Sequence, residues 1–303
     1  MKKKVILITG STAVGKTAAA IQVARHFNTE IISADSRQCF KELNIGVARP
    51  SKEELQEVPH YFIATHSIND QVSAAIFEQY ALQKADELFA RRDVIVMAGG
   101  TGLYVKAFME GLDEIPSVDP AMRVELMQWY ESRGMEWLEK TLREEDPLYA
   151  AEGSMTNPQR MLRALEVLRA TGQSIRTYQQ KNKKTRPFDI ISIRLDLPRE
   201  ELYQRINNRV GQMMQNGLWE EAQSLYPYRH LNALQTVGYK EIFDHIAGKS
   251  TMEEAVELIK RNTRHFAKRQ CTWFANQLPA ELFHPEDINS ILKHIVTEVS
   301  KIG

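Results

Sequence analysis

The chain has 303 residues, 43% hydrophobic and 26% charged, which is enough apolar sequence for one large α/β domain or two smaller ones. Lysine plus arginine equals aspartate plus glutamate at 39 each, so the overall balance announces no polyanionic partner, although that zero averages over unlike regions. The two distant cysteines, Cys39 and Cys271, exclude a disulfide framework and a zinc-type spacing.

The N-terminal Met1-Lys2-Lys3-Lys4 is basic like a signal peptide, but the apolar run 5–8 behind it is too short for one. No later run nears the roughly 18 apolar residues of a membrane helix, so a soluble cytoplasmic protein is expected. Val5-Ile6-Leu7-Ile8-Thr9 is instead a short strand of the kind buried in a parallel sheet. It runs into Gly10-Ser11-Thr12-Ala13-Val14-Gly15-Lys16-Thr17, a full match to G-x-x-x-x-G-K-[ST]. The glycines let backbone N–H groups turn around phosphate oxygens, Lys16 supplies a point charge, and Thr17 offers a hydroxyl to a magnesium ion. A helix over 16–27, with Ala20, Val23, Ala24 and Phe27 on one face, adds the partial positive charge of its N-terminus.

Such a loop specifies a polyphosphate, nucleotide or otherwise, and not ATP in particular. Its usual acidic partner, an Asp ending a later strand, is missing, because the strand 94–98 ends in Gly99-Gly100. Asp35 ends the second strand, 30–33, and opens Asp35-Ser36-Arg37-Gln38. There it can hold magnesium, take a proton from an acceptor, or cap a following helix. A helix over 73–90 leads to the third strand, and Gly99-Gly100-Thr101-Gly102-Leu103-Tyr104 lies on the same sheet edge, with Thr101 offering a hydroxyl.

From 113 to 184 strand runs vanish. The clearest helix is capped by Asn157, has Pro158 in its first turn and ends at Thr171-Gly172. Gln159, Arg160 and Arg163 share one face, which alone reads as a solvated surface, while Met161, Leu165 and Leu168 face the other way. A basic linker-like stretch, 181–186, precedes a strand at 190–195, and helices dominate from 199 onward. Arg205 and Arg209 stand one turn apart, as lid arginines of phosphoryl-transfer enzymes do. In the dense basic segment 260–269, Arg261, Arg264, His265, Lys268 and Arg269 form one stripe, with Phe266, Ala267, Trp273 and Phe274 expected to face the core. A basic stripe backed by an apolar face suits a phosphodiester backbone. The expected fold is α/β, a P-loop NTPase-like parallel sheet flanked by helices, with an all-helical insertion domain. Residues 1–112 and 190–303 form the core, and 113–189 the insertion.

Several ordered blocks carry a resemblance. They are residues 10–17, 35–38, Pro59-His60, Ser73-Ala74-Ala75 with Phe77, 99–104, 157–167, 205–209, Gly217-Leu218, 237–241, and Thr263-Arg264 with 267–270 and Thr272-Trp273. With them the chain resembles the tRNA dimethylallyltransferase family, the tRNA isopentenyltransferases, over nearly its whole length. The resemblance implies transfer of a dimethylallyl group from its diphosphate to the exocyclic amine of the adenine 3′ of a tRNA anticodon. Asp35 is then the proton acceptor, helped by Thr101. Lys16, the loop amides, a magnesium ion on Thr17, and Arg205 or Arg209 stabilise the departing diphosphate. The adenine must be flipped out of the anticodon stem-loop to react. Expected on the tRNA side are Asp35, Ser36, Arg37, Thr101, Arg123, Gln159, Arg160, Met161, Leu162, Arg163, Arg264, Lys268 and Arg269, with Gln38 reading the edge of the base.

Ser11 stands where the family usually has proline, Cys39-Phe40 where an aliphatic residue and tyrosine are usual, and Tyr61-Phe62 where His-Leu is common. A role for a tyrosine hydroxyl at position 40 is therefore not expected. The bacterial type is expected, since the eukaryotic zinc finger is missing from the sequence, and a monomer is expected as well. The same residues leave two other readings open, a small-molecule P-loop kinase and an adenylate isopentenyltransferase. A purely RNA-binding role leaves the intact phosphate loop unexplained.

Overall fold

The computed structural model describes residues 2–180 and 183–301, so Lys181 and Asn182 of the basic stretch lie outside the described residues, as do Met1, Ile302 and Gly303. The chain divides into two compact units, one of Met1–Met109 with Thr185–Gly303, the other of Glu110–Lys184.

The first unit is built on β1 (Lys4–Gly10), buried along its whole length. Side chains alternate between sheet faces, so Val5 and Leu7 enter one core cluster while Ile6 and Ile8 enter another. After α1 (Lys16–His26) come β2 (Ile31–Ser33), α2 (Lys52–Glu57), β3 (His60–Tyr61), α3 (Ala74–Phe89), β4 (Val94–Gly99) and α4 (Gly102–Glu110). Ala20, Val23 and Ala24 of α1 fill the cluster of Ile6 and Ile8, with Phe27 packed against it. Ser73 caps α3 by accepting from the Ile76 N–H.

The second unit is helical, with α5 (Pro120–Glu145), α6 (Pro147–Glu152), α7 (Pro158–Thr171) and α8 (Ile175–Tyr178). Asn157 caps α7 by accepting from the Arg160 N–H, and Gly172 ends it in the left-handed conformation. α5 breaks at Gly134, whose φ of 74° interrupts the helix. The unit has its own core of Leu126, Leu138, Leu142, Tyr149, Met161, Leu162 and Leu165.

The chain then returns to the first unit through β5 (Asp189–Leu195), α9 (Arg199–Gln215), α10 (Leu218–Leu225), two 3₁₀ turns, α11 (Tyr239–Ile246), α12 (Met252–Gln277), β6 (Glu281–Phe283) and α13 (Ile288–Ser300). The six strands lie in the order β3-β2-β4-β1-β5-β6, and every pairing is parallel. This is the expected α/β class. Two edge strands, β3 and β6, are additions to the sequence reading. Phe40 is buried in the core, which is what its missing hydroxyl allows.

Candidate active site

The carboxyl end of β1 delivers Gly10, whose φ of 148° and close approach to the Leu195 carbonyl leave no room for a Cβ. Ala13 holds a φ of 64°, a strained value for a residue with a Cβ. Gly15 caps α1 in the left-handed region and offers no side-chain acceptor, so the first N–H groups of the helix face the loop. Val14 anchors the loop in the core. The Lys16 ammonium donates across the loop to the Ser11 carbonyl at 2.6 Å. Desolvation lowers its pKa to about 8, with Asp35 opposing the shift and Arg209 adding to it. Thr17 and Lys16 both line a cleft of about 560 Å³.

Across the sheet edge, Asp35 Oδ1 accepts from the Arg37 N–H at 2.8 Å and the Gln38 N–H at 3.2 Å. The capping role is therefore real, but it uses one oxygen. Among the described residues Oδ2 accepts no hydrogen bond, and Asp35 lines the 560 Å³ cleft and a neighbouring one of about 530 Å³. Thr101 Oγ1 accepts from the Ser36 N–H at 3.0 Å and donates to the Ser36 hydroxyl at 3.3 Å. This fixes the Asp35 turn against β4, and Gly99 permits it, since a Cβ there would lie 2.2 Å from the Ala34 carbonyl oxygen.

Gln38 has both ends of its carboxamide engaged. It donates to the Val47 and Ala48 carbonyls at 3.2 and 2.9 Å and accepts from Ser33 at 3.4 Å. Reading a base edge from here requires those bonds to be exchanged. Arg37 donates to the Asn232 carbonyl at 2.9 Å.

Helix α9 brings both of its arginines to the phosphate loop. Arg209 donates to Thr12 Oγ1 at 3.3 Å, and burial lowers its pKa from the ordinary value while Asp35 opposes the shift. Arg205 is held by Glu201 at 2.9 Å and by Glu286, with its guanidinium beside Gly15. A carboxylate pair already occupies Arg205, whereas the Arg209 cation faces the loop and Asp35.

A residue with no assigned role in the sequence reading, Gln270 of α12, joins these parts. Its Oε1 accepts from the Thr12 N–H at 2.8 Å and its Nε2 donates to the Gly100 carbonyl at 2.8 Å. One buried carboxamide thus clips the phosphate loop to the turn that carries Thr101. On the same helix Phe266 corrects the expectation that it faces the core: it is 41% exposed and lines both clefts. Arg269 lies beside its ring, 5.8 Å from the centroid, and lines the 530 Å³ cleft. Lys268 is exposed, and Arg264 donates to Asn207 at 2.7 Å. Neither of the latter two reaches the clefts.

Within the helical unit, Met161 and Leu162 are fully buried, so the expected contact of these two with RNA is corrected: their side chains are core. Arg123 and Arg163 converge on Glu166, a carboxylate only 1% exposed, and Arg123 also donates to Gln159 at 2.7 Å. A buried charge needs such partners. Gln159 and Arg160 are exposed.

A family model described as IPP transferase matches residues 38–277. The phosphate loop precedes that span. Among curated proteins, the chain is 46% identical to a tRNA dimethylallyltransferase of Cytophaga hutchinsonii, with 99% of each chain covered, and 48% identical to one of Christiangramia forsetii, covering 99% of this chain and 100% of the other. A full-length tRNA isopentenylpyrophosphate transferase of Bacillus halodurans superposes with a TM-score of 0.72 at 36% identity, covering 98% of this chain and 97% of the other. A eukaryotic dimethylallyltransferase solved acting on tRNA superposes with a TM-score of 0.77 at 26% identity, covering 98% and 77%.

Proposed function

The chain belongs to the IPP transferase family, and on that premise we propose that it moves a dimethylallyl group from dimethylallyl diphosphate to the exocyclic amine of the adenine 3′ of the tRNA anticodon. It is a tRNA-prenylating transferase. One observation carries the finer reading: two clefts of similar size share Asp35, Thr12 and Arg209 in their walls, so a donor on the phosphate loop and an acceptor from the other cleft meet at a carboxylate.

As the allylic C–O bond stretches, positive charge grows on carbon and negative charge on the departing diphosphate. Lys16, the N–H groups at the start of α1 and Arg209 face that anion, with Arg205 at its flank. The attacking nitrogen becomes strongly acidic as its bond forms. Asp35 Oδ2 takes the proton while Oδ1 stays tied to the Arg37 and Gln38 amides, so the base is held in orientation throughout. Thr101 holds the turn on which it sits.

A magnesium ion fits this donor set. Among the described residues no group of three or more His, Cys, Asp or Glu could hold a metal. Thr17 offers a hard oxygen atom, which suits an ion that keeps several waters and binds chiefly through substrate phosphates. When bound it would neutralise charge on the leaving diphosphate. On the acceptor side we assign backbone contacts to Arg160, Gln159, Arg264, Lys268 and Arg269, and to Arg123 and Arg163 through guanidinium N–H groups not bonded to Glu166. Among the described residues no helix is long and apolar enough to cross a membrane. The reading adds a cytoplasmic setting and a monomer.

Incubation with labelled dimethylallyl diphosphate and bulk tRNA, followed by digestion to nucleosides, is the test. Label on the adenine next to the anticodon is expected. In parallel reactions supplied with AMP or with ATP and no tRNA, prenyl label on the free nucleotide, or transfer of the ATP γ-phosphate to a small acceptor, without labelled tRNA in the first reaction, would replace this reading by one of its two rivals.

A further inference from the structure

The cleft-facing side of α12 is more than a backbone-binding stripe. Ile259, Asn262, Thr263, Phe266, Arg269 and Gln270 all line the 530 Å³ cleft. Their spacings of three and four are those of one helix face. Phe266 stands at the centre of that face. Its neighbours there are polar or cationic, with the sole aliphatic one, Ile259, two turns away. A phenyl ring 41% exposed in such a setting leaves a large apolar area open to the cleft.

We infer that Phe266 is the platform on which the extruded acceptor base stacks. A flipped base loses its neighbours in the anticodon loop, and an aromatic face in the receiving pocket replaces that stacking. The ring is placed for this, since it borders both clefts, as Asp35 does. Arg269 beside it adds a guanidinium plane and a cation next to a nucleotide's phosphate. The other apolar candidate for contact with Phe266 is the prenyl chain. The base is favoured because α12 contributes seven residues, His265 among them, to the 530 Å³ cleft and only Phe266 and Gln270 to the cleft that holds Lys16. Stacking is indifferent to base identity, so Phe266 stabilises the flipped state and leaves selection to groups on the base edge.

This inference rests on the tRNA-prenylation reading, and the experiment separates the two. Wild-type protein is first scored for prenylated tRNA, a result that judges the function alone. Phe266→Leu, Phe266→Tyr and Phe266→Trp are then compared by steady-state kinetics in each substrate, with thermal melting as the folding control. Leucine keeps the apolar character and most of the volume but has no π-face. The expected result is a roughly 5- to 100-fold fall in kcat/KM for tRNA with Phe266→Leu, matching the loss of one stacked base. Donor KM should stay unchanged, and the tyrosine and tryptophan variants should stay within a few-fold of wild type. Retention of tRNA kcat/KM by Phe266→Leu would overturn the inference. So would a loss confined to donor KM, which would assign the ring to the prenyl chain.

Discussion

Lys16 keeps its ammonium in a site that desolvates it, and that cost has a measurable sign. Its pKa falls to about 8, from 10.5, through burial, against the pull of Asp35. Below about pH 8 the free protein offers a cation to the donor; as pH rises through that value the cation is lost. Donor affinity should therefore decline above about pH 8, and binding there should take up a proton, because an anion in the loop restores the ammonium. Calorimetry at about pH 9 in two buffers of different ionisation heat reads that uptake directly; its absence would mean Lys16 does not meet the diphosphate. Asp35 is tested by removing basicity while keeping shape. Asparagine caps turns as well as aspartate, so Asp35→Asn should preserve the Arg37 and Gln38 bonds and tRNA affinity. Single-turnover transfer should drop roughly 10²–10⁴-fold, and a drop of only a few-fold would leave Asp35 as a cap. Lys16, Asp35 and Thr101 were legible because each sits in a motif at a strand end. Gln270 was not, since a glutamine between Arg269 and Cys271 looks the same in sequence whether it clips a loop or merely decorates a polar stretch of helix.

Helix α12 shows the same limit one level up. Periodicity separates its basic stripe from the stripe of Phe266 and Gln270, but a wall of a cleft and a wall of a core have the same period, and only the rest of the fold decides between them. The strands β1, β2, β4 and β5 were legible from apolar runs. β3 has two residues, and β6 is largely exposed, so neither leaves a pattern long enough to read. Gln270 gives α12 a mechanical function that can be tested as such. Gln270→Leu removes partners from the Thr12 N–H and the Gly100 carbonyl, at about 1–3 kcal/mol for each buried group. The ligand-free protein should melt lower than wild type. Added diphosphate should recover part of the difference, because its oxygens can accept from the freed Thr12 amide. Equal melting temperatures without ligand would remove Gln270 from the support of the loop.

For the whole molecule, a formal charge of zero says nothing about affinity for RNA, because cations can be gathered locally, as in residues 260–269, which carry Lys260, Arg261, Arg264, Lys268 and Arg269 and no acid. Arg264, Lys268 and Arg269 changed together to alanine should weaken tRNA binding and flatten the dependence of log K on log salt, each lost phosphate contact reducing the slope by roughly 0.7–0.9. An unchanged slope would make the stripe a solvated face. The insertion has a further consequence, which falls during synthesis. β1 can pair with β4 as soon as residues 94–99 have left the ribosome, yet its other edge waits for β5, which is made only after residues 110–184. Until then a largely apolar strand presents unpaired N–H and C=O groups, a template for any other nascent chain. The helical segment sets the length of that interval, so slow codons within it would lower the yield of folded protein without changing a single residue of the finished one.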